Sequence, residues 1–147
     1  MDTEEEVSVS YGKGEKGKAT KLHAEITRMY GECEKCGKSS GVQLQCAHIQ
    51  GRKASATRTA LFNAFCLCAG CHFYFTDHPL DFRRFVTGTW AQAYREDLIS
   101  LSNTNTKVDW SARVEFLKDI KKKIEQGLSV DEARKLDYEL TIGGTYE

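Results

Sequence analysis

No hydrophobic run in this sequence approaches the roughly 20 residues that a membrane-spanning helix needs. The acidic, polar residues 1–6 do not resemble a secretory signal peptide, and no internal repeat is present. We therefore expect a cytoplasmic protein that has no membrane partner and keeps its six cysteines reduced. Its 147 residues are enough for one domain with a real core and hardly enough for two.

A net charge is also absent, because 21 Lys and Arg balance 21 Asp and Glu. By itself this argues weakly against a nucleic-acid partner. The charge is unevenly distributed, however: residues 1–12 carry −4, residues 13–58 carry +6 and residues 59–147 carry −2. The positive segment contains the first cysteine and histidine motifs, where a phosphate backbone could bind. An ordinary fluctuation of surface charge is the alternative.

The first half of the chain predicts short elements around polar loops. Residues 1–17 contain glycines and charges without an apolar period, which predicts a flexible tail. A helix is predicted over residues 18–30, ending at Gly31. Residues 42–49 and 60–67 are the predicted strands, with a basic loop at 50–58 between them and a helix at 69–76 after them. Pro79, the one proline, should end that helix and begin the next.

The second half of the chain predicts helices only. Ser129 and Glu132 form a capping-box pattern before the last helix. Apolar residues recur at helical spacing and should face the interior. They are Phe82, Phe85, Val86, Trp90, Tyr94, Leu98 and Leu101, then Val114, Leu117, Ile120 and Ile124, then Ala133, Leu136 and Leu140.

Two C-x-x-C pairs, Cys33 with Cys36 and Cys68 with Cys71, are separated by 31 residues. Each pair can present two thiolates to one tetrahedral ion, so together they predict a closed structural zinc site. The alternative is that four reduced cysteines pack as small hydrophobic residues. Cys46 and Cys66 lie on the predicted strands and are expected in the core, although Cys66 could compete with Cys68 as a ligand.

His48, Asn63 and His72 lie between or beside these pairs, and His72 directly follows Cys71. The segment CEKCGKSSGVQLQCAHIQGRKASATRTALFNAFCLCAGCH resembles the HNH endonucleases, also called ββα-metal nucleases, and especially phage-encoded members with a four-cysteine zinc frame. The resemblance covers about residues 31–80, a third of the chain.

The resemblance implies a metal-dependent DNA nuclease. His48 would be the general base that activates water, and Asn63 would orient it by bridging backbone groups. His72 would hold the catalytic cation, Mg²⁺ or Mn²⁺, with Ni²⁺ or Zn²⁺ as softer alternatives. Arg52, Lys53 and Arg58 of the basic loop would contact phosphates, unless they are only solvated.

The sequence departs from the family at Ala47, where many members carry Asp or His as a second cation ligand. The further ligand could be Asn63, Asp77 or His78, and Mg²⁺ also retains water and substrate oxygens. His23 falls on the first helix and is expected to have no chemical role.

The predicted fold is α+β: a small ββα-metal core with a treble-clef-like zinc site, flanked by an N-terminal helix and several C-terminal helices. Residues 18–80 would form the nuclease core and residues 81–147 a helical extension packed on it. The runner-up function is a non-catalytic zinc module that binds DNA or a protein, and an RNA substrate is less favoured. A homodimer and a phage or host DNA-processing complex remain open as assemblies.

Overall fold

The computed structural model describes residues 11–142, which have mixed α+β structure with seven α-helices and one two-stranded antiparallel sheet. Most of the predicted flexible tail, residues 1–10, lies outside the described residues. No helix in the described range is long and apolar enough to cross a membrane.

The first helix, α1, spans Gly14–Arg28 and so begins four residues before the predicted start. The prediction of a flexible tail is therefore wrong for residues 14–17. The glycines there were interpreted as a sign of flexibility. Gly17 is instead required by packing, because a Cβ on it would collide with the Gly12 carbonyl group. At the other end, Gly31 has a φ of 88°, which accords with its predicted place just after the helix.

The sheet is a hairpin of β1, Leu44–His48, and β2, Ala64–Cys68. Leu44 pairs with Cys68 at one end and His48 with Ala64 at the other. The long connection contains a four-residue helix, α2 (Ser55–Arg58), and a 3-10 turn, Leu61–Asn63. The second strand was expected to begin at residue 60, but this turn replaces its first part.

Six further elements follow the hairpin: α3 (Ala69–Asp77), α4 (Pro79–Thr87), a 3-10 turn (Trp90–Tyr94), α5 (Arg95–Ser102), α6 (Trp110–Glu125) and α7 (Val130–Thr141). Pro79 occupies the start of α4, as predicted. The capping box of Ser129 and Glu132 is confirmed, with both reciprocal hydrogen bonds present.

Three apolar clusters hold these elements together. In one, Phe65 of β2 packs among residues of α3 and α4. In another, Ile26 of α1 packs against Leu117 and Ile120 of α6. In the third, Phe62 packs against Leu98 of α5. Residues beyond position 80 thus share cores with α1 and the hairpin connection.

The inward face of α7 differs from the prediction. Ala133 is buried, but Leu136 and Leu140 are 39% and 65% exposed, so their predicted inward position is wrong. Arg134 and Asp137 are buried instead. Each pairs with an opposite charge elsewhere in the chain, Arg134 with Glu34 and Asp137 with Arg113, so neither charge is buried without a partner.

Candidate metal centre and histidine site

The two C-x-x-C pairs come together at one end of the hairpin. Their four sulfurs lie within 4.8 Å of one another, and the Sγ atoms of Cys36 and Cys68 are 3.8 Å apart. Two sulfurs bound tetrahedrally at about 2.3 Å from zinc would be about 3.8 Å apart. The four cysteines therefore form a cluster that could bind a metal such as zinc. Cys66 is not part of this cluster.

The local backbone explains why each pair converges. In the first pair, the Cys36 amide donates to the Cys33 sulfur across a turn in which Gly37 has a φ of 82°. In the second, Cys68 is the last residue of β2 and the N-cap of α3, and its sulfur accepts the Cys71 amide. The N-terminus of α3 favours a thiolate at that position.

The pKa values of the thiols indicate that the cluster becomes fully ionised only with a bound cation. Burial disfavours the Cys33 thiolate, but hydrogen bonds from the backbone of Cys36 and neighbouring residues outweigh it and lower the pKa of Cys33 to about 6. Burial and the thiol neighbours raise the pKa of Cys71. Four thiolates at this distance repel one another, so full ionisation needs a bound cation.

Glu34, inside the first pair, fixes the cysteine turn to the rest of the protein. Its carboxylate accepts hydrogen bonds from the Cys66 amide at 2.7 Å and from the Trp90 indole at 3.2 Å. It also accepts two from the guanidinium of Arg134, at 3.0 and 2.6 Å. Sequence analysis missed this role, because the partner of Glu34 is 100 residues away.

His48 stands at the end of β1 with a defined tautomer. Its Nε2 lies 3.0 Å from the carbonyl oxygen of Arg58. A carbonyl only accepts, so Nε2 carries the proton and Nδ1 keeps a lone pair. Burial, with the positive charges of Arg52 and Arg58, lowers the pKa of His48 to about 4. The ring is therefore neutral at pH 7, the state in which a histidine can accept a proton.

Asn63 is fully buried and braces the loop that carries this carbonyl. Its Oδ1 accepts the Gln50 amide at 2.8 Å, and its Nδ2 donates to the carbonyls of Gln50 and Thr57 at 3.0 and 2.9 Å. These three bonds tie Gln50, just after β1, to Thr57 within α2. They leave the Asn63 side chain committed to the backbone, so it is not a ready cation ligand.

His72 lies in the first turn of α3, on the other face of β1. Its Nδ1 is 2.7 Å from the Oε1 atom of Gln45, which only accepts; Nδ1 is thus protonated and Nε2 is left available. Gln45 is a positioning residue that sequence analysis missed. Among residues 11–142, His72 belongs to no group of three or more metal-ligating side chains.

Ala47 points to the same face as Gln45 and is buried, packed with Phe65 and Leu67. Asp77 and His78, the other candidate cation ligands, lie exposed at the far end of α3. His78 hydrogen-bonds the Tyr74 carbonyl and stacks on its ring. Neither residue is brought together with His72 in a ligand group of the described chain.

The three basic residues of the loop have different surroundings. Arg58 donates to the hydroxyl of Thr20 and to the carbonyls of Arg52 and Tyr11, so it holds the loop against α1. Lys53 is exposed and lines a polar cleft together with Lys107. The guanidinium of Arg52 lies over the ring of Tyr11, 6.0 Å from its centroid. Lys53 is the most exposed of the three, so it is the best placed for a phosphate.

His23, for which no chemical role was predicted, is fully buried beside His48. The two ring centroids are 5.0 Å apart, and His23 Nδ1 is 3.8 Å from the sulfur of Cys46. The pKa of His23 is well below its usual value, mainly because the ring is buried and secondly because His48 is its neighbour. Nothing local in the sequence signals this group, because α1 and β1 are far apart along the chain.

No protein-family model, curated protein or solved structure matches this chain. What the site does is therefore argued from its side chains.

Proposed function

We propose that this protein is a metal-dependent DNA endonuclease of the HNH type, in which the hairpin and α3 act as a ββα-metal core stabilised by a treble-clef-like zinc site. The observation that carries the proposal is the buried side chain of Asn63. It bridges Gln50 and Thr57, as the orienting asparagine of such a site should. The loop it braces presents the Arg58 carbonyl that fixes the tautomer of His48.

In this proposal His48 is the general base. Its Nδ1 takes a proton from the attacking water, while the Arg58 carbonyl stabilises the imidazolium that forms. A pKa of about 4 makes the free protein a weak base. An approaching phosphodiester would compensate the charges of Arg52 and Arg58, and the pKa of His48 would rise toward the working pH.

His72 would hold the catalytic cation through Nε2, with Gln45 fixing its ring. Mg²⁺ or Mn²⁺ would stabilise the charge that develops on the phosphate and the leaving oxygen, and Ni²⁺ or Zn²⁺ are softer candidates. Few protein ligands are consistent with a Mg²⁺ ion that keeps its waters and binds substrate oxygens. Lys53 and Lys107, at the polar cleft, would contact the phosphate backbone.

A second candidate is a non-catalytic zinc module that binds DNA or a protein. Three observations favour it. Ala47 stands where a cation ligand is common in the family, and its side chain is buried in the core. His48 and His72 also lie on opposite faces of β1. The zinc frame would then serve only to support a binding surface.

Relaxation of supercoiled plasmid with Mg²⁺ or Mn²⁺ decides between these candidates. We expect nicking by the wild type and a loss of about 100-fold or more in His48→Ala, the usual contribution of a general base. His72→Ala should need more metal, and high Mn²⁺ should restore part of its rate.

His78→Ala is the matched control, since it removes an exposed histidine from the far end of α3, and it should nick at the wild-type rate. Undiminished nicking by both His48→Ala and His72→Ala would exclude the proposed mechanism. Metal-independent DNA binding without nicking would favour the non-catalytic module.

A further inference from the structure

A second group of metal-ligating side chains lies outside the four-cysteine cluster. His23 of α1 and Cys46 and His48 of β1 bring one ligand atom each to within 4.8 Å of one another. Among residues 11–142, these are the only two such groups. Cys46 and His48 project from the same face of β1, against α1.

Hydrogen bonds leave the correct atoms available for a metal. His23 Nε2 lies 2.9 Å from the Ala60 carbonyl and His48 Nε2 lies 3.0 Å from the Arg58 carbonyl. Both carbonyls only accept, so both Nε2 atoms carry protons and both Nδ1 atoms keep lone pairs. A backbone carbonyl on the second ring nitrogen is the usual support of a metal-bound histidine.

The ligand types select a borderline or soft cation. Two imidazole nitrogens and one sulfur suit zinc, whereas Mg²⁺ and Ca²⁺ require oxygen ligands. Zinc at about 2.05 Å from nitrogen and 2.3 Å from sulfur would place the two about 3.5 Å apart. The observed separation of His23 Nδ1 and Cys46 Sγ is 3.8 Å, a few tenths of an ångström above that value, and the His48 ligand atom lies within 4.8 Å of both, so it would have to move closer as the metal binds.

We propose that His23, Cys46 and His48 form a second zinc site, with the metal bound through the two Nδ1 atoms and the Cys46 thiolate and its fourth position filled by water. Binding replaces the proton of the Cys46 thiol by the metal and releases that proton to solvent. Burial raises the pKa of Cys46 to about 11, so the thiol is protonated until the cation arrives. With three protein ligands instead of four, the site should bind zinc more weakly than the four-cysteine cluster. Because binding releases a proton, it should bind more weakly still as the pH falls.

The second site would also regulate the proposed nuclease. The Nδ1 atom of His48 is the proposed base, and a zinc ion bound to it blocks proton transfer. This regulatory consequence rests on the proposed function, whereas metal binding at the site does not. Zinc would thus stabilise the protein at the four-cysteine cluster and inhibit it at His48.

Cobalt titration of the zinc-loaded 147-residue chain tests the site directly. A Co²⁺–thiolate bond gives a near-ultraviolet charge-transfer band, and we expect that band to saturate at one added equivalent in the wild type. Cys66→Ala is the matched control, because Cys66 pairs with Cys46 across the hairpin and is a free thiol outside both ligand groups. It should keep the band, and Cys46→Ala should lose it while melting cooperatively.

A band of equal size in Cys46→Ala would mean that cobalt enters only the four-cysteine cluster, and it would overturn the second site. Absence of any new band in the wild type would do the same. His23→Gln should lower the cobalt affinity at least tenfold and keep a donor toward Ala60; an unchanged affinity would remove His23 from the site.

The regulatory part is tested by the ratio of nicking rates with and without a second equivalent of zinc at fixed Mg²⁺. In the wild type and in Cys66→Ala we expect the second equivalent of zinc to lower the nicking rate about 100-fold, which is the contribution of a general base. In Cys46→Ala the ratio should remain near one. Equal zinc inhibition in Cys46→Ala would overturn the regulation. If no variant nicks, the proposed function fails, and the cobalt titration still decides whether the metal site exists.

Discussion

Replacement of Arg134 by methionine should destabilise the protein far more than the loss of an ordinary surface charge. The Arg134–Glu34 pair is buried, with 3% and 6% of the two side chains exposed. In Arg134→Met the Glu34 carboxylate would keep two donors, Cys66 and Trp90, and lose the guanidinium that pairs with it. Removing one partner of a buried ion pair costs about 3–5 kcal/mol.

The expected change in melting temperature follows from the size of the protein. At roughly 4 °C per kcal/mol for a domain of this length, Arg134→Met should melt about 12–20 °C below the wild type. The matched control is Arg84→Met, whose partner Asp81 is on the same exposed helix face; the Arg84 side chain is 78% exposed. That control should cost about 0–1 kcal/mol.

The double variant Glu34→Gln/Arg134→Met tests whether the unpaired charge causes the loss. It buries no charge at this position, so it should melt above Arg134→Met. Calorimetry of the zinc-loaded proteins measures all four melts under one set of conditions. An Arg134→Met melt equal to that of Arg84→Met would refute the reasoning, since it would mean that the pair contributes no more than a surface contact.

Three further predictions concern the metal centre and the histidine site. Purified protein should hold about one zinc tightly, as measured by elemental analysis. Cys36→Ser should lose this zinc and melt well below the wild type, whereas Cys66→Ala should keep it. A zinc-free wild-type protein would contradict this prediction. Ala47→Asp should destabilise the protein by roughly several kcal/mol, because it would bury an unpaired carboxylate beside Phe65; a wild-type melt together with a lower Mg²⁺ requirement would place the cation near residue 47 instead. The pKa of His48 is about 4 in the folded protein and about 6.5 in the unfolded chain, so the unfolded chain binds the proton more readily. The free energy of unfolding is therefore highest above pH 6.5 and decreases as the pH falls toward 4. Between pH 7 and 5 this loss is about 2 kcal/mol, and urea melts of His48→Gln should show a correspondingly smaller pH dependence than the wild type.

Local patterns predicted the elements that depend on local chemistry. The C-x-x-C spacing predicted the convergence of the four cysteines, Ser129 and Glu132 predicted a helix start, and Pro79 predicted a boundary between helices. Each of these signals acts within a few residues, so the sequence alone contains it. The roles of Glu34 and His23 depend on partners that folding brings from other elements, and no local pattern contains them.

The error on α7 has the same origin. Apolar spacing favoured Leu136 and Leu140 as inward residues, because hydrophobic burial usually determines which face of a helix packs. Here Arg134 and Asp137 take the inward positions, since Glu34 pairs with Arg134 at 2.6 Å and Arg113 pairs with Asp137 at 2.7 Å. Asp137 also accepts the Leu61 amide at 2.7 Å. Helical periodicity cannot identify the packed face of a helix when charged residues on that face form ion pairs with residues far away in the sequence.

The direct junction between β2 and α3 limits how the protein can move. Cys68 ends the strand and Ala69 begins the helix, so no loop residue separates the two elements. Hinges form where loop or element-terminal residues can change φ and ψ. This junction has no loop residue, and its terminal residue Cys68 belongs to the cluster of four sulfurs, which restrains it. The hairpin and α3 should thus move as one rigid body. Adjustment within this unit would have to come from the loop after His48, between β1 and α2.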